Sequence, residues 1–181
     1  WMLAMPSAFY LPMGKTKFDW CYVSEPEVAM NNRQLACPRG RVLGGSSSIN
    51  GMVYVRGNAQ DYEEWESLGA AGWGYRDSLP YFKRAESWVG GGNRYRGKSG
   101  PLGVSAGNEM RLNPLYRAFI DAGVEAGYPE TIDYNAEFQE GFGPMHMTVR
   151  DGVRESTSRA YLKPVRHRRN LEVLTRAHVQ H

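Results

Sequence analysis

The residues with the clearest chemical potential lie between positions 44 and 50, where the sequence reads GGSSSIN ahead of an apolar run. Gly44 and Gly45 have no Cβ atom, so their backbone can approach a bulky ligand closely. Ser46 and the two serines after it offer hydroxyls and amides at a predicted helix start, where a phosphate or pyrophosphate binds favourably. Asn50 is the only amide side chain in the apolar run, and it can donate and accept hydrogen bonds at a polar ring edge.

An ordinary loop capped by serine fits the same residues, and the residues alone leave both interpretations open. The segment is neither a phosphate-binding loop of the G-K-[ST] type nor the G-x-G-x-x-G dinucleotide fingerprint. Arg41, just before the glycines, either neutralises a phosphate or braces the loop. The aromatic residues that follow are interpreted as core rather than cofactor contacts: Trp65, Trp73, Tyr81 and Phe82.

Helical patterns must position this segment. Helices are predicted over 47–55, 59–68, 78–87, 113–127 and 158–168. Asn58 and Asp77 are the expected N-caps of the second and third, with Pro80 in the first turn of the third. Asn113 caps the fourth, and its predicted apolar face consists of Leu115, Phe119, Ala122 and Ala126.

Strand patterns alternate with these helices. Strands are predicted within 18–27, 100–105, 145–156 and 171–177. Asp151 and Gly152 have the residue types of a type I′ hairpin turn. The mixture predicts an α/β or α+β fold rather than a bundle or a sandwich.

Composition indicates one compact domain. Of the 181 residues, 41% are hydrophobic and 23% charged, which suits a packed core and argues against disorder. No apolar stretch approaches the roughly 18 residues of a membrane helix. The net charge is only +3, and the basic run at 163–169 is interpreted as a solvated helix end rather than a nucleic-acid surface. Cys21 and Cys37 are expected to be buried, reduced thiols, and no metal site is predicted.

A longer pattern resembles a known family. Residues 40–50, followed by Tyr54, Gly57 and Asp61, resemble the first motif of the glucose–methanol–choline (GMC) flavin oxidoreductases. Further segments resemble the family in its usual order, among them WCYVSEPE, LPYFKRAE, GPLGVS, NPLYRAFIDAGVEAGYP, GVRESTSRAYL and NLEVLTRAHV. The stretches MNNR, QEGFGPM and STSRAYL are most similar to the choline-oxidising members. Both chain ends fall inside patterns, so we expect an internal piece of a longer chain.

The resemblance implies a partial FAD-binding, Rossmann-like domain of the GMC type with part of the substrate-binding domain. It assigns residues 1–60 to the flavin-contacting part, 61–153 to an intermediate segment of the substrate domain, and 154–181 to a return into the FAD domain. In such enzymes the turn at Gly44, Gly45 and Ser46 lies beside the FAD pyrophosphate. The next residues would pass beneath or beside the isoalloxazine ring: Asn50, Gly51, Met52 and Val53.

Two further expectations concern the cofactor. The backbone of Val179 would meet the adenine end of FAD, although an ordinary strand valine fits this position equally well. Some relatives attach the flavin covalently through a histidine just before the asparagine. Ile49 occupies that position here, so we expect non-covalent FAD.

The implied reaction is FAD-dependent oxidation of a primary alcohol, choline to betaine aldehyde. The family's base is a histidine in a later motif, and surface or packing roles are expected for His146, His167, His178 and His181. We therefore place no catalytic residue in this chain and expect it alone to bind FAD weakly and not to turn over. The alternatives are another GMC alcohol dehydrogenase or oxidase, a hydroxynitrile lyase on the same scaffold, or an interaction domain without cofactor.

The expected partner is a small-molecule alcohol, with no nucleic acid. The residues do not indicate the electron acceptor. The resemblance implies a location in the cytoplasm or peripherally on the inner membrane face.

Overall fold

The computed structural model describes residues 1–107 and 113–179. Its helices are α1 (Ala59–Ser67), α2 (Tyr75–Ala85), α3 (Pro114–Glu125) and α4 (Lys163–Val165). Its strands are β1 (Tyr22–Val23), β2 (Ala36–Cys37), β3 (Glu86–Trp88), β4 (Leu102–Val104), β5 (Val149–Arg150) and β6 (Val153–Arg154). Among the described residues, three 3₁₀ turns (Pro6–Ala8, Val28–Met30, Gly45–Ser48) and a π-helical turn (Ser158–Leu162) complete these elements. The predicted mixed fold is confirmed.

In the part of the chain that the structure describes, the strands form three two-stranded sheets. β1 and β2 are antiparallel, β3 and β4 are parallel, and β5 and β6 form an antiparallel hairpin. Asp151 and Gly152 have φ values of 51° and 71°, as a type I′ turn requires, so this predicted turn is confirmed. Predicted strands at 18–27 and 100–105 also contain strands, β1 and β4 respectively.

Residues 146–148 join the glycine-rich segment to the core. The amide of Tyr54 donates to the His146 carbonyl at 2.8 Å, and the amide of Thr148 donates to the Met52 carbonyl at 2.8 Å. Met147 exchanges two backbone hydrogen bonds with Ser105, of 2.8 and 2.9 Å. These hydrogen bonds hold residues 52–54 against the segment that leads into the hairpin.

This pairing shows that the helix predicted over 47–55 is wrong. Only Gly45–Ser48 form a short 3₁₀ turn, and Met52 has a φ of 64°, which an α-helix does not accommodate. The apolar run resembles a buried helix in sequence, but its backbone groups are satisfied by another segment about 95 residues away. The strand predicted over 171–177 is also wrong, because no neighbouring strand among the described residues pairs with it.

Helix caps follow local chemistry. The Asn58 side chain accepts from the Gln60 amide at 2.9 Å, and the Asn58 amide donates to Asp61 at 3.2 Å, so the predicted cap of α1 is confirmed. Asn113 caps α3 as predicted, accepting from the Leu115 amide at 3.0 Å. α2, however, begins at Tyr75 after Gly74, so Asp77 lies in its first turn and Pro80 lies inside the helix. The predicted cap at Asp77 is wrong because the Gly74 carbonyl already accepts from the amides of residues 77 and 78.

Several apolar side chains predicted to be buried are exposed. Trp65, Trp73 and Tyr81 keep 48%, 58% and 63% of their surface accessible, and only Phe82 of that group is half-buried. On α3 the buried residues are Ile120 and Gly123, whereas Leu115 and Phe119 of the predicted apolar face are exposed. Cys21 is exposed and Cys37 half-buried, because β1 and β2 form a short ribbon at the surface. Within the described residues, no helix has the length and apolarity that crossing a membrane requires.

The interior of the fold contains a cluster of charged residues. Glu86 and Arg96 are fully buried, with the Arg96 Nε atom 2.8 Å from Glu86 Oε1. Arg56 Nη2 lies 2.8 Å from the same oxygen, and Arg96 Nη1 lies 2.7 Å from Asp133 Oδ1. Burial alone would raise the pKa of Glu86, but hydrogen bonds from Arg96 and the Gly97 amide, with the Arg56 charge, outweigh it and lower this pKa.

His146 completes the charged cluster as a neutral ring. Its Nδ1 atom lies 3.3 Å from Arg96 Nη1 and 3.1 Å from Asn135 Nδ2, both of which donate. Nδ1 must therefore accept, which places the proton on Nε2. Burial, followed by the nearby Arg96 charge, lowers the pKa of His146 against the opposing effect of Asp133.

Acid is expected to destabilise the fold through His146. Below about pH 6.5 the unfolded chain binds a proton at this residue that the folded state resists, so stability falls as the pH falls through that value. The thermal midpoint of the full-length protein should drop between about pH 7.5 and about pH 5.5. His146→Gln should reduce this drop, whereas His167→Gln, at an exposed position, should not. An identical drop in all three proteins would contradict this role for His146.

Candidate functional site

The paired glycines have opposite environments. Gly44 and Gly45 both adopt left-handed conformations, with φ values of 90° and 55°. A Cβ atom on Gly44 would lie 2.5 Å from Ser48 Oγ and 3.1 Å from Ser158 Cβ, so this glycine is required by packing. A Cβ atom on Gly45 would meet nothing within 4 Å. Bare backbone is therefore presented to open space at Gly45.

The serine hydroxyls mainly brace the loop. Ser47 Oγ donates to the Gly44 carbonyl and accepts from the Thr157 amide at 3.0 Å. Ser48 is buried, and its Oγ donates to the Leu43 carbonyl at 2.9 Å. Ser46 is exposed, and its Oγ accepts from the Gly40 amide at 3.1 Å, which leaves its own O–H able to donate. Only the first of the three hydroxyls is thus placed to meet a ligand.

Asn50 and Gly51 continue the exposed surface. Asn50 Oδ1 accepts from the Met52 amide at 3.1 Å and from Arg154 Nη1 at 2.8 Å. Its Nδ2 atom makes no hydrogen bond to the described residues. A Cβ atom on Gly51 would meet nothing within 4 Å, and the backbone there is not left-handed.

Side chains then alternate between the surface and the interior. Met52 is only 1% exposed, so its side chain belongs to the core and only its backbone is near the surface. Val53 and Val55 keep 46% and 59% of their surface accessible. Neighbouring apolar side chains left at the surface indicate a place that another molecule or segment covers. We call Gly45, Ser46, Asn50, Gly51, Val53 and Val55 the exposed loop set.

The last described residues lie near the start of the loop. The His178 ring is 4.8 Å from that of Trp20, and the Arg41 guanidinium is 4.8 Å from the same indole. Val179 is 79% exposed and follows His178 directly. Arg41 also contacts the Thr16 carbonyl at 3.5 Å, which supports the bracing interpretation of this arginine.

Sequence reasoning did not identify Arg154 as part of the site. It lies in β6 and is 2% exposed, and its Nη1 atom contacts Ser47 and Asn50 across the loop. Arg150 and Arg154 lie on opposite faces of the hairpin, across from Val153 and Val149 respectively, and the sequence does not indicate which of these faces is buried. Only the packing of the hairpin under the loop separates their roles.

The arrangement fits a large planar ligand with a polar edge. One side of the loop is closed by packing at Gly40 and Gly44, where an added Cβ atom would clash with protein. The other side is open at Gly45 and Gly51 and carries valines and a free amide donor. Apolar surface for a ring, bare backbone for close approach and one directed amide are the elements that such a ligand needs.

No acid–base residue of the described chain stands in this exposed surface. His146 is fully buried in the charged cluster, and His167 and His178 are exposed. His181 lies outside the described residues. No group of three or more histidine, cysteine or acidic residues in 1–107 and 113–179 is arranged to hold a metal ion.

The chain is similar to known proteins of one family. A family model described as GMC oxidoreductase matches residues 13–181. Over 178 residues the chain is 59% identical to oxygen-dependent choline dehydrogenase from Vibrio vulnificus (strain YJ016). The aligned region covers 98% of this chain and 32% of that protein.

Solved structures show the same similarity. The crystal structure of pyridoxine 4-oxidase from Mesorbium loti matches with a TM-score of 0.89 at 35% identity, covering 96% of this chain and 34% of that one. An FAD-dependent oxidoreductase from Chaetomium thermophilum matches with a TM-score of 0.84 at 30% identity, covering 95% of this chain and 31% of that one. The chain therefore spans about a third of the length of these proteins.

Proposed function

Because this chain belongs to the GMC oxidoreductase family, we propose that the protein containing it oxidises a primary alcohol with FAD, and that the alcohol is choline. The 59% identity to a protein named choline dehydrogenase supports the substrate. The FAD-dependent neighbour at 30% identity supports the cofactor. The observation that carries the proposal is the exposed loop set, whose open backbone and amide suit a flavin.

The loop would hold FAD through a defined group of residues. When bound, FAD supplies the two-electron redox chemistry of alcohol oxidation. The glycine–serine turn binds the pyrophosphate through backbone amides, with Gly44 fixing the turn and Gly45 allowing close approach. Asn50 donates from Nδ2 to the ring edge, and Val53 covers apolar ring surface. The full set is Gly44, Gly45, Ser46, Asn50, Gly51, Met52, Val53 and Val179, with Met52 contributing through its backbone.

Contacts between residues just after position 153 and the glycine–serine loop support a division of the chain into two domains. We assign residues 1–60 and 154–181 to the FAD domain and 61–153 to the substrate-domain segment. Arg154 and Thr157 both contact the loop, the latter through its amide on Ser47 Oγ at 3.0 Å. These contacts connect the beginning of segment 154–181 to the loop in segment 1–60.

FAD is proposed to be bound without a covalent link. Ile49, directly before Asn50, is 2% exposed and has no nucleophilic atom. Acid precipitation of the purified full-length protein should therefore release the flavin colour into the supernatant. Colour that stays with the precipitate would contradict non-covalent binding.

Anaerobic reduction tests the reaction. Addition of choline to the full-length, flavin-loaded protein in the absence of oxygen should bleach the visible flavin absorbance and yield betaine aldehyde. Bleaching by pyridoxine but not by choline would favour the second candidate, another primary alcohol, which the 35% identity to pyridoxine 4-oxidase supports. If the protein binds flavin but no alcohol reduces it, both the choline and the other-alcohol proposals are overturned. That result would favour a hydroxynitrile lyase, which keeps FAD without using it for redox chemistry.

The location is proposed to be the cytoplasm or the inner membrane face, in peripheral association. The support is the resemblance to choline-oxidising members of the family. Cell fractionation of the source organism with an antibody to the full-length protein would test this location.

A further inference from the structure

Arg154 is a buried cation whose side-chain hydrogen bonds to the described residues all go to the loop. Its Nη1 atom lies 2.8 Å from Asn50 Oδ1, 2.7 Å from the Asn50 carbonyl oxygen and 3.2 Å from the Ser47 carbonyl oxygen. The residue is only 2% exposed. One nitrogen thus holds both the backbone and the side chain of Asn50.

The rest of the guanidinium has no compensating partner within the described residues. Its Nε and Nη2 atoms are buried without a hydrogen-bond partner there, and no carboxylate forms an ion pair with it. Burial lowers the pKa of Arg154. Since an unpaired buried charge reduces stability, simple packing does not explain an arginine at this position.

The contacts determine which way the Asn50 amide is turned. Arginine has only donors, so the atom that faces Nη1 must be the amide oxygen and not the nitrogen. The Met52 amide, at 3.1 Å, donates to the same oxygen. Two donors on Oδ1 leave Nδ2 directed away from Arg154 and without a partner among the described residues.

We propose that Arg154 is a positioning residue that fixes the Asn50 carboxamide so that Nδ2 donates to the flavin. This inference rests on the proposed function, since it requires that the loop holds FAD. Arg154 itself does not touch the cofactor in this scheme, and its effect passes through Asn50. Without Arg154, Oδ1 would keep only the Met52 amide as a donor, so the carboxamide would hold its orientation less firmly and Nδ2 would meet the ring acceptor less often.

A double-mutant cycle in the full-length protein tests the inference. FAD is titrated into the apoprotein of the wild type, Arg154→Met, Asn50→Ala and the double variant, and the flavin reduction potential is measured for each loaded protein. Arg154→Met and Asn50→Ala should each weaken FAD binding about tenfold and shift the potential in the same direction. In the Asn50→Ala background, Arg154→Met should add less than about twofold, because the interaction it serves is already absent.

Conservative variants separate positioning from general stability. Arg154→Lys should recover part of the affinity, since its ammonium group can still donate to Oδ1. Asn50→Asp retains the contact with Arg154 but has no Nδ2 donor, so it should lose affinity as Asn50→Ala does. If Arg154→Met does not fold, the cycle is carried by Arg154→Lys, whose smaller loss of affinity should likewise disappear in the Asn50→Ala background.

Additive effects of the two substitutions on affinity and potential would overturn the inference, and so would wild-type behaviour of Arg154→Met. Either result leaves the proposed function intact, provided that choline still reduces the wild-type flavin. A wild-type full-length protein that binds no FAD would instead overturn the proposed function and this inference together.

Discussion

Replacing Gly51 with leucine is expected to lower the FAD affinity of the full-length protein about a hundredfold. A Cβ atom at Gly51 meets no protein atom within 4 Å, and the backbone needs no left-handed conformation, so the leucine fits the chain itself without strain. It would obstruct only a molecule seated outside the loop. Absorbance titration of the apoprotein with FAD measures the affinity, and the thermal midpoint of the apoprotein reports the fold.

The matched control for this substitution is Ala71→Leu. Ala71 is also small and exposed, but it lies in the turn between α1 and α2 and outside the exposed loop set. It should leave both FAD affinity and thermal midpoint close to wild type. Unchanged affinity in Gly51→Leu would show that nothing binds against this backbone.

Removal of the Glu86 carboxylate is expected to cause the largest loss of stability. Glu86→Ala removes the anion that Arg56 and Arg96 share, so that, among the described residues, Arg56 is left without an ion pair and Arg96 keeps only Asp133. Breaking a buried ion pair by deleting one partner costs about 3–5 kcal/mol, because the remaining charge cannot be solvated. The thermal midpoint and the soluble yield of the full-length variant measure this effect.

An exposed ion pair provides the comparison. Asp121 contacts Arg117 on α3, and both side chains are about half exposed, at 48% and 44%. Asp121→Ala should shift the thermal midpoint only slightly, because solvent screens this pair and hydrates the remaining arginine. Equal losses in Glu86→Ala and Asp121→Ala would contradict the central structural role of the buried cluster.

The elements that could be predicted from the sequence depend on local chemistry. The Asn58 and Asn113 caps and the hairpin turn at Asp151 and Gly152 are confirmed, since each depends on residues within about four positions. The observed start of a helix differs from the predicted start where a backbone carbonyl, rather than the predicted capping side chain, accepts the first amide hydrogen bonds. At α2 the Gly74 carbonyl starts the helix before Asp77 can cap it.

Interactions between distant residues could not be predicted. Residues 52–54 look helical in sequence but pair with 146–148 in the structure, and nothing within the run itself indicates that partner. The charged cluster brings Glu86, Arg96 and Asp133 together in the interior, although such residues are usually at the surface. Sequence periodicity carries no information about such assemblies.

In the candidate site, too, local features could be predicted from the sequence and contacts between distant residues could not. Gly44, Gly45 and Asn50 could be selected from their types and spacing, because a close backbone approach and a directed amide are local properties. The contact of Arg154 with Asn50 spans 104 positions and became evident only in the fold. The bracing use of the Ser47 and Ser48 hydroxyls likewise depends on how the loop closes on itself and on Thr157.

A crystal structure of the full-length, flavin-loaded protein would test the central claim most directly. The decisive quantities are the distances from Asn50 Nδ2 and from the Gly51 backbone to the nearest flavin ring atoms. We expect Nδ2 within about 3.2 Å of a ring acceptor and the backbone of Gly51 in van der Waals contact with the ring. Side chains of the protein itself packed over Gly45 and Gly51, with FAD elsewhere or absent, would contradict the account.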